Sequence, residues 1–454
     1  MSKIKKLIFK NIFVFFFVFL INCNNRIVAA EQDKNLKSFF HKNILISQKT
    51  TENDQTPFKD DPSLKLIADV LPTALSILQV YYIDQPNFQN ICFNGIKRIL
   101  EKDDSFTFIV DQNKITLSKD GKIIDTYSIL QPQDDLKYWI VTSLNVLNRA
   151  FEHSPKLYTI TPEKILSYYM KGAAGSLDEL TRYVPPHKSI PEHQIFIGNI
   201  KVEESEATSW SQVYNNVLYL RIKHFEPWTS NEVVSLLKGA KDKHEGIILD
   251  LRDNVGGRLE QAIEIADAFL DKGLLATSKG RHQDSYQKFE ANGQRAVFNN
   301  PLILLVNQKS ASAAEVLTAA LKENDRALIL GRKTYGKGSI QRVQGLPNDG
   351  SLVFTWASLY TPLGHRLNKV GIDPFLSIEK LNPAQLIWLK NLIKTGIAPQ
   401  KLTNTSYMTG KSINPATLEK DELDLALSIL SNKEFYKSAL ALQSQTNLTQ
   451  NAIS

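Results

Sequence analysis

Two residues of this chain could do chemistry together. Ser312 stands among small residues, Ser310-Ala311-Ser312-Ala313-Ala314-Glu315, directly after an apolar run of strand length at 301–306. Glu315 opens a stretch with Val316, Leu317, Ala320 and Leu321 at helical spacing. A second strand-length run, 327–330, leads into Thr334-Tyr335-Gly336-Lys337-Gly338. A serine at a strand-to-helix turn is thereby set beside a lysine at the end of the next strand. A serine hydroxyl is a poor nucleophile at its free pKa and needs an adjacent base. Lysine can be that base only when neutral. Its free pKa is about 10.4, and burial away from a carboxylate lowers it. Gly336 and Gly338 add no polar side chain, and Tyr335 and Ile340 are expected to exclude water. Gln341 can accept a hydrogen bond from the lysine without adding charge.

These stretches resemble the carboxy-terminal processing (tail-specific) serine proteases, whose signature is S-A-S-A-x-E followed by T-[FY]-G-K-G-x-x-Q. The resemblance implies Ser312 as nucleophile, Lys337 as general base and Gln341 as the residue that orients the lysine. The nine residues from Leu249 to Gly257 (LDLRDNVGG) resemble the family's LDLRxNxGG turn, with Val255 where proline is usual. An acyl-transfer intermediate needs two donors for its oxyanion. One is expected from Ala313 N–H, at a helix start where free N–H groups gather. The other is expected from Gly256 or Gly257, between which the sequence does not choose. Weaker resemblances fall in the right order: 172–185 (GAAGSLDELTRYVP) to SLDPHSxY, and 361–374 to TPxGRxIxGxGIxPD. The family usually places a PDZ domain after the first of these. Here only about 30 residues, 187–216, separate it from the next core strand, too few for such a module.

The elements that must position these residues read as alternating strands and helices from residue 217 onward: strands at 217–222 and 246–251, helices at 230–241 and 259–270. Strands separated by helical crossovers imply a layered, mostly parallel α/β sheet. The resemblance implies a ClpP/crotonase-like core. Residues 351–357 and 359–362 are expected to form a hairpin-like pair. The chain divides into a signal peptide (1–30), a flexible leader (31–62) and a mostly helical region with a β meander turning at Asp120-Gly121 (63–186). A short linker in place of PDZ (187–216), the protease core (217–380) and a helical C-terminal region that frays beyond residue 430 (381–454) complete it.

The 454 residues are 43% hydrophobic, ordinary for a globular protein. The net charge of +7 includes Lys3, Lys5, Lys6, Lys10 and Arg26. Without residues 1–30 it falls to +2, too little to argue for nucleic-acid binding. The basic start and the apolar run 12–21 read as a secretory signal cleaved after Ala30, with Cys23 as a rival lipid-acceptor site and membrane association through the N-terminus as its consequence. No later segment reads as long and apolar enough to span a membrane. Cleavage after Ala30 leaves Cys92 alone, and the eight histidines show no metal spacing, so no cofactor or metal is expected.

Rival chemistries fit less well. The phosphate-loop pattern fails because Gly338 follows Lys337. No histidine motif accompanies Ser312, which weighs against a Ser–His pair. Lys394-Thr395-Gly396 and the Ser-x-x-Lys tetrads at Ser235, Ser285 and Ser377 evoke penicillin-recognising enzymes, but no S-D-N stands among them. The expectation is an exported, periplasmic serine endopeptidase acting on proteins with flexible C-termini. The alternative is a catalytically weak or inactive protease-fold binding protein for exported proteins or peptides. The sequence does not specify an oligomeric state.

Overall fold

The computed structural model describes residues 61–451 apart from 112, 187–206, 241–242, 294–297, 378, 380 and 396–414. The expected signal peptide, nearly all of the leader and most of the linker lie outside the described residues. The chain forms two units, each built from separate stretches of the sequence.

The first unit holds residues 61–80, 85–186 and 343–354. Its helices are α1 (Pro62–Tyr81), α2 (Phe88–Leu100), α3 (Leu136–Glu152), α4 (Pro155–Tyr158) and α5 (Pro162–Gly175). Helix starts follow the capping chemistry of the sequence. Asn87 and Asp135 accept hydrogen bonds from Asn90 N and Tyr138 N. Thr161 caps α5 by position, yet its side chain makes no cap bond, and Pro162 supplies the preset first turn. The expected meander is β1 (Phe106–Asp111), β2 (Lys114–Lys119) and β3 (Lys122–Ser128), antiparallel throughout. Contrary to the reading that no later segment could span a membrane, α1 is long and apolar enough by length and composition. Its stripe Leu64, Ile67, Leu71, Leu75 and Leu78 is buried, as in a core helix.

The second unit holds residues 81–84, 207–342 and 355–451. Its main sheet contains β5 (Ser209–Tyr214), β6 (Val217–Ile222), β7 (Gly246–Asp250), β10 (Leu302–Val306) and β11 (Leu328–Gly331), in the order β11-β10-β7-β6-β5. The last four in sequence are parallel, and β5 is an antiparallel edge. The sheet therefore begins at Ser209, inside the stretch expected to be linker, because the pair Asn215-Asn216 takes positive φ and closes a tight hairpin onto β6.

A strand's side chains alternate between faces, and each central strand here splits between two cores. On one face Leu220, Leu249, Leu304 and Ile329 pack with α6 (Thr229–Ala240), α7 (Leu259–Asp267) and α8 (Ala313–Glu323). On the other, Tyr219, Ile248, Ile303 and Leu330 pack with α9 (Pro383–Thr395), α10 (Pro415–Leu430) and α11 (Lys433–Asn451). The C-terminal region is thus one layer of the core, not a tail that frays after residue 430. Phe435 and Ala439 of α11 are buried, and such burial contributes about 1.5–3 kcal/mol for each large apolar side chain.

A second sheet runs β12-β13-β8-β9, made of β8 (Gly273–Lys279), β9 (Gln287–Ala291), β12 (Ser339–Gly345) and β13 (Ser351–Tyr360). β13 is antiparallel to β8 and to the short β4 (Arg182–Val184), so the mostly parallel description holds for the main sheet alone. The expected hairpin within 351–362 is one continuous strand: its buried residues have partners on both sides, leaving no place for a turn. Helix α8 lies between the two sheets. Leu317 and Leu321 face the parallel sheet, while Val316 and Ala319 meet Ile340, Ala357 and Leu359. Its small residues are what that two-sided burial requires.

Candidate active site

Ligand sites in open α/β sheets form beyond the carboxyl ends of the parallel strands. Three such ends are adjacent here. The turn after β10 carries Ser312. The turn after β7, on one side, carries Gly256. The turn after β11, on the other, carries Lys337. Parallel pairing with β10 at the centre therefore assembles segments from three separate parts of the sequence.

Hydrogen bonds fasten the first two turns. Ala311 N donates to Asn254 O at 2.9 Å, and Ser310 Oγ to Leu251 O at 2.7 Å. Asp253 N donates to Asn307 Oδ1 at 3.0 Å, and Asn307 Nδ2 to Asp253 Oδ1 at 3.1 Å. Behind this turn lies a buried ionic group. Arg252 Nη2 donates to Asp250 Oδ2 at 2.6 Å, and its Nη1 to Glu422 Oε2 at 3.0 Å and Glu419 O at 2.7 Å. The C-terminal layer thus grips the β7 turn through α10. Burial pushes the Glu422 carboxyl above its ordinary value, against the pull of Arg252.

Ser312 precedes α8 with φ 58° and ψ −115°, a left-handed conformation costly for a residue with a Cβ. Such a sharp strand-to-helix turn is the geometry of a nucleophile elbow. Ser312 is fully buried, and its Oγ has no hydrogen-bond partner among the described residues. The hydrogen bond between serine and lysine is accordingly not made in this conformation; such bonds often tighten only when substrate is bound.

What joins the serine and lysine segments is Glu315, a residue to which the sequence reading gave no role. Its buried carboxylate accepts four hydrogen bonds. Oε2 takes Ser312 N and Lys337 N, each at 2.8 Å; Oε1 takes Gly336 N and Thr334 Oγ1, each at 2.6 Å. Tyr335 N adds a bond to Ser310 O at 3.0 Å. The sequence signal was present: a serine followed three residues later by glutamate at a helix start is a capping box. Only the glutamate half is made here, since Ser312 Oγ accepts nothing.

Lys337 is half-buried, and Gln341 is 4% exposed. Gln341 Nε2 donates to Thr355 Oγ1 at 2.8 Å, leaving Oε1 a buried acceptor without a partner. Ile340 is buried, as expected. Tyr335 is not: it is 69% exposed.

Gly256 and Gly257, indistinguishable in sequence, differ in space. Gly256 has φ +103°, and a Cβ there would stand 2.8 Å from both Ala311 O and Ser312 Cβ. Its N–H is committed to Asn254 Oδ1 at 2.8 Å. Gly257 (φ +140°) is pressed against Phe225, with a Cβ position 2.2 Å from Phe225 O, and its N–H makes no hydrogen bond among the described residues. Ala313 N–H is likewise unengaged and lies 3.2 Å from the Gly256 Cβ position. Gly256→Ala is expected to destabilise the protein by roughly 2 kcal/mol and to slow any reaction at Ser312 at least tenfold. Urea titration and a peptide-cleavage assay check this; wild-type values in both would mean that the turn has room the contact distances deny.

The peptidase family S41 model matches residues 216–378, a span holding all three turns. Over these residues the chain is similar to peptidase family S41. It is 37% identical over 177 residues, 38% of this chain and 41% of the relative, to the carboxy-terminal-processing protease of Bartonella bacilliformis. It is 35% identical over 206 residues, 45% of this chain and 49% of the relative, to the carboxyl-terminal-processing protease of a Picosynechococcus species. The chain thus spans half or less of these relatives' length. Among solved structures it is similar to a photosystem II D1 C-terminal processing protease, at 17% identity, TM-score 0.45, over 70% of this chain and 94% of that one. The S41 match ends before α9, so the helical layer behind the sheet lies beyond it.

Proposed function

We propose that this S41 chain is an exported serine endopeptidase that cuts proteins near flexible C-terminal tails, on a ClpP/crotonase-like core. The observation that carries the proposal is the four-donor Glu315 carboxylate, which ties the backbone of Ser312 to that of Lys337. Ser312 attacks the scissile carbonyl, Lys337 takes its proton, and the oxyanion is held by Ala313 N–H with Gly257 N–H or Gly256 N–H. Of the two glycines, Gly257 has the unengaged N–H, whereas Gly256 would first have to leave Asn254. The acyl-enzyme is then hydrolysed as Lys337 returns the proton. Gln341 Oε1 orients the lysine without charging it. The N-terminal thirty residues act as the export signal, in keeping with their basic and apolar order.

Two measurements test the reading. Incubating wild type and Ser312→Ala with a set of exported proteins, and identifying the C-termini formed, separates a protease from a binder. Identical termini with both proteins would end the assignment. The cleavage rate of wild type is also expected to rise with pH as the base loses its proton, because only the neutral amine can accept one. A rate that stays level from acid to alkaline pH would remove lysine from that role.

A further inference from the structure

Four side-chain oxygens beside the Lys337 segment are buried and lack hydrogen-bond partners among the described residues: Ser312 Oγ, Ser339 Oγ, Gln341 Oε1 and Ser358 Oγ. Ser339 is 4% exposed and Ser358 1%. Native proteins rarely leave such groups unpaired without a reason. Their placement supplies one. Leu359 N donates to Gly338 O at 2.6 Å, and Leu346 N to Gly350 O at 2.9 Å, which makes β12 and β13 an antiparallel hairpin. The first bond sets Ser339 and Ser358 opposite each other, one step further along each strand. Lys337, Ser339 and Gln341 occupy alternate positions, and alternate residues of an extended chain project to one side.

A lysine ammonium has three donors and no acceptor. Resting on the Ser–Lys reading above, we propose that Ser339 is a positioning residue that accepts one N–H of Lys337 once it has taken the proton from Ser312. Gln341 Oε1 accepts the second donor, and the third stays on the reacting Ser312 oxygen or the leaving nitrogen. Ser339 keeps its own hydroxyl proton and donates it to Ser358 Oγ. No proton is gained or lost in this arrangement; the only transfer is from Ser312 to Lys337. All the acceptors are uncharged, so they steady the ammonium without pinning it as a carboxylate would. Among the described residues the charged or titratable groups around the hairpin include Glu315 from α8, Arg342 on β12, Tyr360 on β13, Lys279 on β8 opposite Ser358, Arg182 and Tyr183 on β4, Asp349 in the turn, and Arg366 and Lys369 in the segment beside Gly338. Glu315 is filled by four donors, and Arg342 stacks over Tyr81 and Trp356, 4.5 and 5.2 Å from their ring centroids.

The test is the pH profile of peptide cleavage by the full chain. A hydrogen bond to the charged form favours that form, so losing it makes the lysine easier to deprotonate. Ser339→Ala is expected to lower kcat roughly tenfold and move the midpoint of the rising limb down by about one pH unit. Ser339→Cys, nearly the same size with a weaker acceptor, moves it the same way, and this second variant guards against a folding artefact. Ser339→Thr, which keeps the hydroxyl, restores both values, and Ser358→Ala gives a smaller shift in the same direction. A lower kcat with an unmoved midpoint would assign Ser339 a packing role and overturn the proposal, as would an unchanged kcat. Cleavage that persists in Ser312→Ala would instead bring down the underlying Ser–Lys reading, so the two failures are distinguishable.

Discussion

Ser312→Ala is expected to abolish peptide cleavage, with a loss of roughly 10⁴-fold or more, while leaving the fold intact. The two halves of this expectation have separate grounds. Activity goes because the only atom removed is the oxygen proposed to attack the scissile carbonyl. The fold stays because that oxygen is buried without a partner, so its loss breaks no hydrogen bond. The bond from the residue 312 backbone N–H to Glu315 is independent of the side chain. Alanine meets the left-handed φ of 58° at a cost close to that of serine. Stability is therefore expected to change by less than about 1 kcal/mol. Urea titration beside a fluorogenic peptide assay reads both quantities. Full activity in the purified variant would refute the assigned nucleophile.

Glu315→Ala is expected to do the opposite: damage the fold and the site together. The substitution strips the acceptor from three backbone N–H groups and one hydroxyl in a fully buried place. An unmet buried donor costs about 1–3 kcal/mol, and water entering the space recovers part of that, so a net loss of roughly 3–5 kcal/mol follows. The serine and lysine segments lose the group that ties one to the other, and kcat should fall more than about 100-fold, since misplacement of a catalytic group by even 1 Å can be that costly. Glu315→Gln is not expected to rescue it. An amide offers one oxygen, and its NH₂ would face either Ser312 N–H and Lys337 N–H or Gly336 N–H and Thr334 Oγ1. Denaturation midpoints and kcat of both variants decide the matter. A stable, active Glu315→Ala protein would show that other contacts align the two turns.

Much of this was legible in the residues. The apolar runs ending at Val306 and Leu330 announced strands because they are short, continuous and bounded by turn residues. Asp120-Gly121 announced a hairpin because both positions accept positive φ, which the structure shows at 48° and 74°. Other features were hidden for physical reasons. Trp210 and Val213 on β5 are 40% and 52% exposed, so this edge strand carries little of the apolar signal that marks buried ones. The continuity of β13 depends on partners distant in sequence, β4 and β8, and no local pattern reports them. Tyr335 reads as apolar cover, yet in the fold its side chain is 69% exposed.

By itself the sequence determined the residue types and their local order: a serine at a strand-to-helix turn, a lysine between glycines, a glycine pair after a buried strand. Those follow from short-range sterics and hydrophobic periodicity, which act within a few residues. Only the tertiary structure decided how the pieces meet. Parallel pairing of β7, β10 and β11 brings three distant turns to one edge of the sheet. The Glu315 carboxylate then ties two of them together, and its choice of partners 19 to 22 residues away is made by packing and by the cost of unpaired buried donors, which no local pattern encodes.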